Sequence, residues 1–289
     1  MNVQFAPDIE RANNTQSAIP TERRLTIRGA DVFVRQSGQG TPILYLHGSP
    51  DTHAMWLPVI ERLGGGYHHI AIDLPGFGAT TLPRAFPLTL ENYAAFVADL
   101  LDALGITEPV ILAMTDFGGH YAGAFAVTHP QRVRGMVISN TAFFRDYQWH
   151  SFAKLYRVPL LGELMLGTTP PKTMKSSIKR FAPALPDRYI EESYAAGFGS
   201  KAVRKAVLRM YRERNPEHFI GWDDKLVALL QETPALVLWG DKDPFITPAY
   251  AERWGKAQVQ HFAENSHWLP LEASDAYADA VRRWAEDLS

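Results

Sequence analysis

The sequence predicts an α/β protein, a mostly parallel, twisted sheet with helices on both faces. Two observations carry this. Short apolar runs alternate with stretches of helical spacing, and the alternation breaks near residue 141 to resume near residue 234. The length, 289 residues, adds a third, because it suits one domain that carries an insertion. Strands separated by helices are joined by crossovers, which makes neighbouring strands parallel and covers both faces of the sheet.

The elements follow in order. LTIRG and DVFVRQSG, after Arg24, alternate as an opening hairpin. ILYLH (43–47) is a buried strand and THAMWLPVIERL a helix; HHIAIDL (68–74) is the next strand. LENYAAFVADLLDALG has helical spacing and stops at a glycine. PVILAMT (109–115), a helix from Gly118 to Thr128, and RVRGMVISN (132–140) continue the rhythm. From Thr141 to Gly221 there is no alternating strand, and Pro159, Pro170, Pro171, Pro183 and Pro186 punctuate short helices. PALVLWG (234–240), a helix near Ala249 to Trp254, QVQHFA (258–263) and the amphipathic EASDAYADAVRRWAEDL complete the chain. The expected organisation is a lead-in segment (1–22), one core (23–140 and 222–289) and an inserted helical cap (141–221).

Composition sets limits. With 46% apolar and 21% charged residues the chain is an ordinary globular one. A net charge of -2 gives no electrostatic reason to expect nucleic acid or an anionic membrane as partner. Having no cysteine, the chain is without disulfides, thiolate catalysis or cysteine-ligated metal. The first residues are partly acidic and lack the apolar core of a secretory leader, and no apolar run reaches the roughly 18 residues of a membrane span, so a cytoplasmic location is expected. The ten histidines form no H-x-x-x-H pair, and His68 and His69 would face opposite sides of a strand, so no metal is expected. G-F-G in LPGFGAT lacks the full G-x-G-x-x-G and reads as a structural turn, leaving no cofactor implied.

The stretch ILAMTDFGGHYA (111–122) turns from a strand into a helix. At the tip of such an elbow the backbone is strained, and the residues just after it must be small. A tip at Thr115 would be β-branched and would put Phe117 two positions on; a tip at Asp116 puts Gly118 and Gly119 there. The register selects Asp116. T-D-F-G-G then resembles the H-D-W-G-G elbow of epoxide hydrolases and haloalkane dehalogenases, the aspartate-nucleophile branch of the α/β-hydrolase family. LYLHGSPDTHAMW resembles that branch's H-G-x-P loop, here His47, Gly48, Ser49 and Pro50, and DLPGFGAT its turn after the fourth strand. The resemblance runs from about residue 25 to 285, with the cap matching only in character. DKDPFITP supplies Asp243 after the strand that follows the cap, and ENSHWLPLE supplies His267 before the last helix, in the family's chain order. Asn140 stands where some dehalogenases carry the acid. Asp241 reads as a turn residue or helix cap, and His47 as a structural hydrogen-bonding residue.

The resemblance implies an α/β-hydrolase fold and a two-step reaction. Asp116 displaces a leaving group at a saturated carbon to give an alkyl ester; His267, oriented by Asp243, activates the water that hydrolyses it; backbone N–H groups of Ser49 and Phe117 hold the oxyanion. Dehalogenases of this branch hold halide with a tryptophan after the nucleophile and an asparagine in the H-G-x-P loop, positions filled here by Phe117 and Ser49. Epoxide hydrolases protonate the ring oxygen with cap tyrosines, for which Tyr147 and Tyr211 are the candidates, each also explicable as a packing aromatic. Hydrolysis of an epoxide to a diol is the favoured expectation, haloalkane or haloacid dehalogenation the alternative, and a non-catalytic small-molecule receptor a third. Thr115 and Met114 depart from the family pattern, which carries histidine and, in epoxide hydrolases, glycine there. The implied partners are a small, largely apolar substrate and water, with self-association left open.

Overall fold

The computed structural model describes residues 19–195 and 200–288. Eight strands form one sheet: β1 (Thr21–Ile27), β2 (Ala30–Ser37), β3 (Gly40–Leu46), β4 (Gly66–Ile72), β5 (Val110–Thr115), β6 (Val133–Ser139), β7 (Ala235–Gly240) and β8 (Gln258–Phe262). Their spatial order is β1-β2-β4-β3-β5-β6-β7-β8. The first two strands run antiparallel to their neighbours and the rest pair in parallel. The expected hairpin is there, but β1 begins at Thr21, inside the segment read as a lead-in; the part of that segment before Ile19 lies outside the described residues.

Strand periodicity of two assigns alternate residues to the two faces. Leu44, Leu46, Ile70 and Ile72 pack on one face with α2 (Leu90–Ala103), α3 (Gly118–Thr128) and α8 (Trp222–Leu229), through Phe96, Val97, Phe125 and Leu226. Ile43, Tyr45, Ala113, Val137 and Leu238 pack on the other with α1 (Leu57–Leu63) and α9 (Ser274–Glu286), through Val59, Tyr277, Val281 and Trp284. Both faces are covered, which is why the central strands read as continuous apolar runs.

Between β6 and β7 lies a helical insertion: α4 (Ser151–Arg157), α5 (Leu161–Thr168), α6 (Pro171–Phe181), a short turn at Asp187–Tyr189, and α7 (Lys201–Glu213). The prolines punctuate it as expected, Pro171 opening α6 at a position whose N–H needs no helical partner. Two expected helices differ in detail. THAMWLPVIERL splits into a 3-10 turn, His53–Trp56, and α1, and the helix near Ala249 is a 3-10 turn, Pro248–Arg253, short enough to close the β7–β8 crossover.

Candidate active site

The sheet changes direction of travel between β3 and β5: the chain proceeds outward to β4 on one side and to β6, β7 and β8 on the other. Loops leaving the C-terminal ends of β3 and β5 therefore diverge and leave a crevice, the place where open α/β sheets hold ligands. Ser49 lies on the first of these loops and Asp116 on the second. Leu46 and Met114 are register partners, so the two loops start side by side.

Asp116 sits between β5 and α3 with φ +46, a conformation that costs a residue with a Cβ about 1–2 kcal/mol. The strain is held by two bonds to the end of β6: the Asp116 N–H donates to the Asn140 carbonyl (3.1 Å), and the Thr141 hydroxyl donates to the Asp116 carbonyl (2.6 Å). The glycines around it are there for space. A Cβ on Gly118 would strike the Leu46 carbonyl, one on Gly119 the Thr141 side chain, and one on Gly48 would lie 2.7 Å from Oδ1 of Asp116. Thr115 is buried at the end of β5, paired with Ser139, and does not line the cavity described below.

The Asp116 carboxylate is held by one oxygen. Oδ1 accepts the Ser49 N–H at 2.7 Å, and the Phe117 N–H is near enough to favour the ionised carboxylate. Oδ2 faces Nε2 of His267 at 3.7 Å. On the far side of the imidazole, Nδ1 meets Oδ2 of Asp243 at 2.7 Å. Asp243 is fixed in turn: its Oδ1 accepts the N–H groups of Phe245 (2.7 Å) and Ile246 (3.0 Å). The imidazole is wedged edge-on between Phe245 and Trp268, with ring centroids 5.1 and 5.3 Å away. Burial works against charge on His267, but Asp243, Asp116 and Asp51 outweigh it and push the imidazole up to about 9. Burial raises the Asp116 carboxyl, against the pull of His267 and the two backbone N–H groups. The arrangement couples an ionisable carboxylate, a charged imidazole and a second carboxylate in one line.

Asp116 and His267 open into a cavity of about 310 Å³ whose far wall is the helical insertion. That wall is largely apolar: Met165, Leu166, Met174, Ile178, Phe181 and Val207 line it. The hydroxyls of Thr169 and Ser177 also line it, but each is turned back onto its own helix, bonding Met165 and Thr173 carbonyls respectively.

Residues 41–274 match the model of the α/β hydrolase fold. The chain belongs to the α/β-hydrolase family. Its relatives include haloalkane dehalogenases and epoxide hydrolases, which supports that branch of the family. It is 26% identical to the cis-3-alkyl-4-alkyloxetan-2-one decarboxylase of Shewanella oneidensis, over 92% of this chain and 89% of that protein. It is 25% identical to haloalkane dehalogenase 2 of Mycobacterium tuberculosis (97% and 98%) and 25% identical to epoxide hydrolase 4 of Mus musculus (84% and 72%). Among solved structures, the haloalkane dehalogenase DbeA from Bradyrhizobium elkani superposes with a TM-score of 0.79 at 20% identity, covering 93% of this chain and 99% of that one. The chain is thus a hydrolase of this branch.

Of the two tyrosines singled out in the sequence of this α/β-hydrolase, the structure brings only one to the cavity. Tyr211, on α7, lines it together with Ser49; burial and the nearby Asp116 charge push its phenol well above the ordinary range, so it stays protonated. Tyr147 is not among the lining residues, and its hydroxyl donates to the Phe245 carbonyl at 3.4 Å. The difference is one of packing: Tyr147 precedes the first helix of the insertion and is held over the Phe245 loop. His47 is structural, as expected, one ring nitrogen against the Gly48 carbonyl (2.6 Å) and the other accepting the Leu74 N–H (2.8 Å). Asp241 stands in the turn after β7, as expected, and also pairs with His261 of β8 at 2.6 Å.

Three residues of the site escaped the sequence. Asn140 clips β6 to β7: its amide donates to Oδ2 of Asp243 (2.9 Å) and to the Gly240 carbonyl (3.0 Å), and its oxygen accepts the Gly240 N–H (2.9 Å). Asp51, buried beside His267, takes bonds from the Tyr189 hydroxyl and from Nε1 of Trp268 (3.3 Å); burial pushes its carboxyl up to about 6. His150 caps α4, accepting the Ala153 N–H at 3.2 Å, and lines the cavity. Burial lowers it to about 4, so it enters the cavity as a neutral ring. The H-G-S-P-D run and the W-H pair were the available signals for Asp51 and His150; for Asn140 the signal was its place where a family acid would stand.

Proposed function

We propose that this enzyme hydrolyses an epoxide to a diol through an alkyl ester on Asp116. The observation that carries the reading is that Tyr211 lines the same cavity as Asp116, with Phe117 after the nucleophile and Ser49 in the loop where halide-binding side chains would be needed. An alkoxide leaves poorly without a proton, whereas a halide needs none. The helical insertion is read as the cap that brings the acid and excludes bulk water.

In this reading Oδ2 of Asp116 attacks a ring carbon, the ring C–O bond breaks, and Tyr211 gives its proton to the departing oxygen. The His267 imidazolium then returns a proton to the tyrosinate, which leaves Tyr211 restored and His267 neutral. Esterification has meanwhile removed the Asp116 charge that helped to hold the imidazole protonated, so His267 becomes a base only after the ester exists. It takes a proton from water, whose oxygen attacks Cγ of Asp116. The oxyanion that forms sits against the Ser49 and Phe117 N–H groups, a contribution of about 3 kcal/mol per donor. Collapse breaks the bond from Cγ to the alkyl oxygen, and the proton of the added hydroxyl leaves with the diol. Asp116 is again a carboxylate beside an imidazolium.

One observation favours a second reading. The buried indole N–H of Trp149 has no hydrogen-bond partner among the described residues, and its ring lies against Phe117 and Tyr211, with centroids 6.3 and 5.4 Å away. Turned into the cavity, it would hold a halide in a carbon–halogen cleavage. Matched epoxides and 1-haloalkanes separate the two. Diol formation that falls by about 10²–10⁴-fold in Tyr211→Phe, and by no more than a few-fold in Tyr147→Phe, supports epoxide opening. Halide release that survives Tyr211→Phe and is lost in Trp149→Phe, without diol formation, overturns it.

A further inference from the structure

The α4–α5 hairpin is apolar on two faces. Its inner face, with Tyr156, Met165 and Leu166, lines the cavity. Its outer face leaves Leu155, Val158, Leu160 and Leu164 exposed, Leu160 by 82% and Leu164 by 59%. Isolated exposed leucines are ordinary, but several of them contiguous on one surface mark a patch that meets another protein or a membrane. Five of the seven large hydrophobic residues exposed among the described residues fall between Phe152 and Leu164. At the tip of the hairpin Leu160 is also held at φ +67, a left-handed conformation that favours glycine, so the most exposed leucine of the patch stands where its side chain is least expected.

Charge is divided to match. Residues 141–221 contain fourteen Lys or Arg against seven Asp or Glu, a balance of +7; the chain as a whole is at -2, which leaves -9 on the remainder. Lys154 on the hairpin, and Lys172 and Arg180 on α6, the next helix in the chain, are exposed and form no ion pair among the described residues. Two copies meeting through this face would oppose like charge to like. A surface that is apolar beneath and negative at its rim complements it.

We propose that the α4–α5 hairpin seats this protein on an anionic lipid surface, with the cavity mouth facing the bilayer. Phe152, Thr173 and Ser177 are exposed and also line the cavity, which puts the mouth between α4 and α6, beside the patch. An apolar substrate dissolved in lipid then enters without crossing water. The seating is independent of the reaction inside the cavity and stands or falls separately from it.

Flotation of the full-length protein with vesicles of phosphatidylcholine, with and without phosphatidylglycerol, tests the proposal. The wild type is expected to float with the anionic vesicles, less so as salt rises. Leu160→Asp/Leu164→Asp is expected to lower the bound fraction about tenfold, and Lys154→Glu/Lys172→Glu to lower it on anionic vesicles. Ile220→Asp, an exposed apolar site elsewhere, should bind as the wild type does. All variants should keep the wild-type melting temperature, since the positions are exposed. A wild type that stays out of the vesicle fraction at low salt, or that binds no better than Leu160→Asp/Leu164→Asp, overturns the proposal. So does light scattering that finds a dimer dissociated by Leu160→Asp, because a second copy would then cover the patch.

Discussion

Three carboxylates act on one imidazole in this site, and the pH behaviour of His267 follows from them. Its pKa is raised from 6.5 to about 9, so the stability it contributes is fully present below pH 6.5 and is lost as pH rises through 9. The melting temperature of the wild type should therefore fall across that window, and that of His267→Gln should fall less. The same charges make a kinetic prediction. Formation of the ester should be nearly flat between pH 6.5 and 9, whereas its hydrolysis should rise with pH, with an apparent pKa below 9 because Asp116 is then neutral. Asp51→Asn removes one more negative charge and should move that limb to still lower pH. Stopped-flow single turnovers at several pH values check both statements; an unmoved limb in Asp51→Asn would remove Asp51 from the account. Asp116 was legible because its demand is local: the two glycines that its elbow requires are its chain neighbours. Asp51 was not, since its partners Tyr189 and Trp268 come from segments 138 and 217 residues away.

At the scale of elements, the site depends on how closely strand ends can approach. Gly48→Ala would push a methyl group against Asp116, and Gly118→Ala one into the Leu46 carbonyl. Overpacking of this kind costs about 1–3 kcal/mol, and in both variants turnover should drop more than stability does, because the displaced group is the carboxylate or its elbow. Asn140→Ala tests the clip between β6 and β7. It leaves the Gly240 N–H buried without its partner and removes a donor from Asp243, for an expected loss of about 1–3 kcal/mol in denaturant unfolding together with slower ester hydrolysis. An unchanged midpoint and rate would mean that the clip is dispensable. The strands themselves were readable from apolar runs and the helices from spacing and stop signals. The role of Asn140 was hidden because it exists only once Gly240, a hundred residues later, lies beside it. The choice between Tyr211 and Tyr147 was hidden for a like reason: both are aromatic residues of the insertion, and only packing decides which one meets the cavity.

Across the whole molecule, the ends of the strands supply Asp116, Asp243 and His267 from three successive parts of the chain, and the insertion forms the far wall of the cavity they open into. The bond from Tyr189 to Asp51 joins the two parts, so Tyr189→Phe should raise hydrogen exchange in the turn at Asp187–Tyr189 while leaving the sheet protected. Unaltered exchange would make that bond incidental. The fold could be read at this scale because alternating strand and helix admits few topologies, whereas the division of charge between insertion and core emerges only when the two are counted apart. The proposed reaction turns on the ester on Asp116. It is tested most directly by treating His267→Gln with an epoxide and measuring intact mass, followed by peptide mapping. One added substrate mass per chain is expected, carried by the peptide that contains Asp116 and absent in Asp116→Asn. An epoxide that is turned over by the wild type but leaves no adduct on His267→Gln, or leaves it on another residue, would contradict it.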